Sequence, residues 1–300
     1  MDCYLGANTR NGFYSLYADF PPENAFLHVI KGGPGTGKSS LMKAIVKAAE
    51  ERGLAAEQVF CSGDPDSLDG VYIPALGQAW ADGTAPHVLE PKLLGVTGDY
   101  LNLSEYLILP FSEAEKLELL HLQEENSACY RLAYELLQNC AEKGGCRTRP
   151  IPDERSKTLL ESLPQKGGRK PIRRCFISAI SCKGQVTVLK EQEDCRIYPT
   201  SPETILRASE RLEENGWSGI LCPSPLDPEV PEALILPEKK LCLKTVLWPT
   251  EEADRLLQEA IASLARAKQL HDRIELLYRP HMDFRALSER TKDMIQNLFS

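Results

Sequence analysis

The sequence predicts an α/β protein of two related halves, each ending in a helical segment, and three observations carry that prediction. An apolar run at residues 26–30, a glycine-rich stretch and a helix-periodic run at 39–52 follow one another without a break. A set of features recurs in the same order in both halves. Apolar residues make up 42% and charged residues 26% of the 300-residue chain, enough apolar content for a sizeable core.

Element by element, Arg10-Asn11-Gly12 is a hairpin-type turn between two apolar stretches. Pro21-Pro22 interrupts the chain, and residues 26–30 read as a buried strand. In the following helix Leu41, Ala44, Ile45 and Ala48 fall at helical spacing, and Gly53 stands where a helix ends. Residues 58–61 read as a second strand, 62–70 as an acidic loop, and 71–73 and 76–81 as short strands around Pro74. Residues 113–143 form a long amphipathic helical region or a helical hairpin. Proline, glycine and basic residues then gather, which places a linker at 147–171 between a first repeat at 1–146 and a second at 172–300. The second repeat ends in a helix at 251–278, closed by Pro280. The basic cluster Lys166, Arg169, Lys170, Arg173 and Arg174 reads as solvated linker.

The halves match at four ordered places. Residues 3–12 align without gaps on 175–184. Glu51-Arg52-Gly53 and Val59-Phe60-Cys61 match Glu214-Asn215-Gly216 and Ile220-Leu221-Cys222. Asp66 with Ile73-Pro74 matches Asp227 with Leu236-Pro237. Both halves then end in helix, so the order implies an internal duplication.

A net charge of −8 argues against nucleic acid as a partner. No apolar stretch is long enough to span a bilayer, and no secretory signal is visible. The ten cysteines contain no Cys-x-x-Cys pair, so reduced thiols in a cytoplasmic protein are expected, with a redox or metal role for Cys140 and Cys146 as the alternative.

The chemistry centres on Gly32, Gly33, Pro34, Gly35, Thr36, Gly37, Lys38 and Ser39, whose spacing is that of a phosphate-binding P-loop between a strand and a helix. The glycines let backbone N–H groups turn toward phosphate oxygens, and the helix adds the positive end of its dipole. Lys38 places a cation beside the β- and γ-phosphates, the Ser39 hydroxyl is a Mg²⁺ ligand, and Ser40 is a lesser donor to an α-phosphate. The expected ligand is a nucleoside triphosphate with Mg²⁺. Asp82, at the end of the apolar run 76–81, is expected to complete the metal shell, although an aspartate before glycine is also an ordinary turn residue. Asp64, Asp66 and Asp69 are rivals for metal or water. His87 reads as structural rather than as a phosphate sensor. In the second half the corresponding stretch, 196–204, has no glycine and no lysine, and 241–245 has no acid, so that half reads as a degenerate P-loop-like repeat.

Residues 30–43, 61–71 and 82–87, together with Leu270-His271-Asp272 and Met282-Asp283-Phe284, resemble an uncharacterised bacterial family of tandem P-loop ATPases. The resemblance covers nearly the whole chain and implies a P-loop NTPase-like fold and ATP binding. The chain departs from it at 198–204, where family members often carry a second intact P-loop. The expectation is a Mg²⁺-dependent ATPase or ATP-driven switch with Lys38 and Asp82 as its catalytic residues. The alternatives are a small-molecule or nucleotide kinase, for which only Arg131, Arg147 and Arg149 are at hand between His87 and the linker, and a non-catalytic nucleotide-binding scaffold. A protein partner or a second copy of the chain remains open.

Overall fold

The structure, a computed structural model, describes residues 1–86, 88–149, 154, 158, 168, 171–189 and 195–299. His87 and most of the expected linker, including Lys166, Arg169 and Lys170, lie outside the described residues. In chain order the elements are strands β1 (Cys3–Tyr4), β2 (Gly6–Thr9), β3 (Gly12–Ser15) and β4 (Phe26–Lys31), helix α1 (Lys38–Glu50), strands β5 (Glu57–Phe60), β6 (Leu68–Ile73), β7 (Gln78–Asp82) and β8 (Gly98–Asn102), and helix α2 (Glu113–Cys140). Strands β9 (Arg173–Arg174), β10 (Ser178–Ser181), β11 (Gly184–Thr187) and β12 (Arg196–Thr200) follow, then helix α3 (Pro202–Glu214), strands β13 (Ile220–Pro223), β14 (Pro231–Leu236) and β15 (Leu241–Thr245), and helices α4 (Glu251–Tyr278) and α5 (Phe284–Leu298). The chain is therefore mixed α/β.

It divides into two compact units that interleave in sequence, whereas the sequence reading sets one boundary at 147–171. The first unit comprises residues 1–2, 20–131 and 263–300; the second comprises 3–19 and 132–262. Both long helices contribute to both units.

In the first unit the strands are hydrogen-bonded in the order β5-β6-β7-β4-β8. Strand β4 is parallel to β7 and to β8, while β5–β6 and β6–β7 are antiparallel. Val29 and Ile30 of β4 are fully buried. Helix α1 covers the sheet with one face. Leu41, Met42, Ile45, Val46 and Ala49 are buried at the spacing that aligns side chains on a helix, and they pack with Val71, Ile73 and Trp80. The first-unit parts of α2 and α4 pack together through Leu122, Leu270 and Ile274. Two polar anchors join them: Asn126 Nδ2 donates to the Ala267 carbonyl (2.7 Å) and Ser263 Oγ to the Cys129 carbonyl (2.8 Å).

In the second unit the order is β12-β15-β14-β13-β9, with β12–β15 and β13–β9 parallel and the other pairs antiparallel. Helix α3 packs Ile205, Ala208 and Leu212 onto Leu234, Leu236 and Leu243. Two hairpins, β2–β3 and β10–β11, belong to this unit, the first closed at Arg10-Asn11 where the sequence signals a turn. Arg173 and Arg174, read from sequence as linker, form β9 instead, because they pair with Ile220 and Leu221 of β13. All ten cysteines are free thiols. Burial pushes the Cys140 thiol up to about 11 and the Cys146 thiol up to about 12, which opposes the thiolate form that redox or metal chemistry requires. Among the described residues no helix is long and apolar enough to cross a membrane.

The region 113–143 holds one continuous helix to Cys140, not a hairpin. Its start is a capping box. Ser112 Oγ accepts from the Glu115 N–H (3.3 Å), and the Glu115 carboxylate accepts from the Ser112 N–H (2.8 Å) and hydroxyl (2.6 Å). His281 Nε2 lies 3.1 Å from the same carboxylate. The Ser112 donors, and after them His281, hold the Glu115 carboxyl down at about 2 from its ordinary 4.5. A lowered folded-state value means that the stabilisation is present above pH 4.5 and is lost as the pH falls toward about 2. Thermal unfolding of wild type and Glu115→Gln should therefore differ at neutral pH and converge across that window. A difference unchanged by acid refutes the assignment.

Candidate glycine-rich loop site

Because β4 runs parallel to β7 and β8, the carboxyl ends of all three strands lie along one edge of the sheet. Ile30 pairs with Asp82 on one side and with Leu101 on the other. The chain leaves β4 at that edge through residues 32–37 and enters α1. Gly35 (φ 70°) and Gly37 (φ 95°) take the left-handed conformation that a side chain opposes. Thr36, fully buried, ties the loop by donating from Oγ1 to the Gly33 carbonyl (2.8 Å). Gly37 precedes α1 with no side-chain cap, so the first amides of the helix have no side-chain acceptor at this end.

Lys38 folds back into the loop. Its Nζ donates to the carbonyls of Gly32 (2.8 Å) and Gly33 (2.9 Å) and lies 3.6 Å from Asp82 Oδ2. Asp82 thus has two engagements at once. Its Oδ1 accepts from the Thr84 N–H (2.8 Å), as a turn aspartate does, and its other oxygen faces the lysine. Thr84 closes the arrangement by donating from Oγ1 to the Gly32 carbonyl (2.9 Å). Ser39 Oγ accepts from the Leu68 N–H (3.0 Å), which places it against the start of β6. Ser40 is exposed on the first turn of α1, and Pro34 is half-buried.

The rival acids are differently placed. Asp64 accepts from the Ser67 hydroxyl (2.9 Å) and pairs with Lys268 (3.4 Å). Asp66 is exposed, and its carbonyl accepts from Lys43. Asp69 is buried beside Cys61 at a bulge in β6, directly after Leu68. Burial, and then Asp69, push the Cys61 thiol well up. Of the arginines weighed for a kinase, Arg131 is exposed on α2, while Arg147 and Arg149 belong to the second unit, where Arg149 stacks over Trp248.

Sequence reasoning missed what covers the loop. A Cβ on Gly33 would sit 3.3 Å from the Tyr278 ring, one on Gly35 3.0 Å from the Glu275 carbonyl oxygen, and one on Gly37 3.1 Å from Leu287. These residues stand more than two hundred positions along the chain from the loop, and no motif links them. The nearest signal is the pair of resembling stretches at 270–272 and 282–284. Among the described residues no group of three His, Cys, Asp or Glu side chains could hold a metal ion alone. The donors at the loop, one hydroxyl and one carboxylate beside a lysine, suit a hard cation that arrives with phosphate oxygens.

Asp82 owes its position to Gly83, where a Cβ would lie 2.3 Å from Val29 Cγ1. Gly83→Ala should force β7 away from β4 and destabilise the fold by about 1–3 kcal/mol in urea unfolding; an unchanged midpoint contradicts that close packing. Comparison with family models, curated proteins and solved structures finds no match to this chain.

Proposed function

We propose that this chain binds one nucleoside triphosphate, ATP with Mg²⁺, at residues 32–39 and works as a Mg²⁺-dependent ATPase or ATP-driven switch. The observation that carries the proposal is the Lys38 ammonium, drawn inside a glycine-rich loop at the carboxyl edge of a parallel strand pair, 3.6 Å from Asp82. Phosphate oxygens would take the loop amides and the uncapped start of α1. Lys38 would neutralise the β- and γ-phosphates. Ser39 Oγ and the Asp82 carboxylate would hold Mg²⁺, directly or through its waters, and Thr84 fixes the Asp82 carboxylate in place. When bound, the metal would neutralise charge on the transferring phosphoryl group.

One nucleotide per chain follows from the duplication, which we also propose. Sheet order supports it: β5-β6-β7-β4 and β13-β14-β15-β12 share the same sequence of antiparallel, antiparallel and parallel pairings. Each sheet has a bulge at the same point, where Asp69 and Glu232 are the extra residues. Aligned residues of the two repeats also meet. Tyr4 and Phe176 exchange backbone hydrogen bonds (2.9 Å each), and Asn8 donates to the Ile180 carbonyl (2.9 Å). In the second repeat Thr200 passes through Ser201 straight into α3, and Thr245 stands where Asp82 stands in the first. The resembling stretches at 30–43, 61–71 and 82–87 support membership of the tandem P-loop ATPase family.

Titration with MgATP tests the reading. Lys38→Ala should weaken binding roughly ten- to a hundredfold, as loss of charge-assisted hydrogen bonds does. Asp82→Asn keeps an acceptor for Thr84 and should keep binding, while turnover falls about ten- to a hundredfold. Nucleotide products measured with and without candidate acceptors separate hydrolysis from transfer. Binding that does not depend on Lys38 rejects the proposal.

A further inference from the structure

Lys31 is the last residue of β4 and directly precedes the glycine loop, yet its side chain turns away from the loop to the end of β7, all within the first unit. Its Nζ donates to the Gly83 carbonyl (2.9 Å) and to the Glu90 carboxylate (3.0 Å), and lies 3.5 Å from the Leu89 carbonyl oxygen. Tyr100 of β8 completes the surroundings: its ring centroid stands 5.7 Å from the ammonium, and its hydroxyl donates to Glu90. Gly83 is held at its other end as well, because its N–H takes the Ile30 carbonyl (2.9 Å). The carbonyl that Lys31 grips belongs to the trans peptide between Gly83 and Thr84. The N–H of that same peptide is the donor that holds Asp82 Oδ1 at 2.8 Å. A planar peptide turns as one body, so fixing its oxygen fixes the direction of its N–H. A cation on the oxygen also polarises the unit and makes the N–H a stronger donor. One chain of contacts therefore runs from the Lys31 ammonium through the Gly83–Thr84 peptide to the Asp82 carboxylate, whose other oxygen faces Lys38 at 3.6 Å.

From this geometry we infer, resting on the ATPase reading above, that Lys31 is a positioning residue for Asp82. It touches neither phosphate nor metal, and it acts through one peptide. Without its grip the Gly83–Thr84 peptide is free to rotate about the bonds on either side, and the Thr84 N–H leaves Asp82 Oδ1. The carboxylate then loses the fixed direction that a metal shell demands of its acid. The two lysines divide the work. Lys38 faces Asp82 across the loop, and Lys31 sets its orientation from behind the strand end. A neutral donor in place of Lys31 would reach the carbonyl without polarising it. Glu90 and Tyr100 keep the ammonium at that carbonyl rather than in solvent.

Turnover and binding of MgATP by the full chain, measured on variants shown to be folded by circular dichroism, test the assignment. Lys31→Met should lower kcat about tenfold and raise the Mg²⁺ concentration for half-maximal turnover by a similar factor, as loss of an outer partner of a metal site does. Its affinity for MgATP should stay within about twofold of wild type. Lys31→Arg, which keeps a charged donor, should recover most of the turnover. In an Asp82→Asn background Lys31→Met should cost nothing further, because the two residues act as one unit. Full additivity with Asp82→Asn, or an unchanged kcat and Mg²⁺ requirement, makes Lys31 a clamp on residues 83–90 alone and overturns the inference. So does a loss of affinity as large as the loss of kcat, since Lys31 then serves the nucleotide as a general cation. If Lys31→Met does not fold, the exposed change Glu90→Ala takes its place. Lowered turnover at unchanged affinity supports the inference there, and unchanged turnover overturns it. Wild type that binds MgATP through Lys38 but turns none over leaves the nucleotide site standing and removes the role of Lys31. If no Lys38-dependent binding is found, the nucleotide reading falls and this inference with it.

Discussion

The pairing of β4 with a parallel neighbour on each side is the constraint on which the site depends. Parallel partners cannot be joined by tight turns, so the carboxyl end of β4 is free to release its chain upward into a loop and a helix. The same register sets Asp82 opposite Ile30, and the Gly83 N–H takes the Ile30 carbonyl (2.9 Å) to hold the two strand ends together. Lys38 and Asp82, separated by 44 positions in the chain, therefore face one another as a consequence of strand order. The β5–β6–β7 meander contributes the rest. It carries the chain back so that β7 can lie beside β4, and the first residue of β6 gives its amide to Ser39.

What was legible in the sequence is what is local. The strand, the glycines with positive φ, the lysine and the amphipathic helix sit in one stretch of chain, and each residue's requirement shows in its type. Asp82 was legible as a position and ambiguous as a role. The ambiguity is physical, because one carboxylate oxygen makes the turn while the other faces Lys38. The single helix α2 was blurred with a hairpin, although Ser112 and Glu115 already spell a capping box and residues 113–140 contain neither glycine nor proline.

The covering of the loop was illegible for a different reason. Helical periodicity in α4 marks which residues share a side, but Lys268, His271 and Glu275 on that side look like an ordinary solvated surface until Gly33 and Gly35 are found beneath it. The interleaving of the two units was hidden in the same way. Two of its divisions fall inside α2 and α4, where an unbroken apolar pattern gives the sequence no reason to mark a boundary. The Pro- and Gly-rich composition near 147–171 is a local property, and it draws the eye away from a division set by long-range packing.

The contrast between α1 and α3 shows what an anion site needs beyond a lysine. Both helices follow a strand that runs parallel to a neighbour in its own sheet. At α3 the helix end satisfies itself: Ser201 Oγ accepts from the Thr204 N–H (3.2 Å), and Pro202 brings no N–H at all. A capped end of this kind has little left to offer a phosphate, and restoring a lysine alone would not create a site there. At α1 the cap position is a glycine with no side chain to accept, so the first amides remain for an outside acceptor. A helix start that is to take up an anion must leave its own amides unserved.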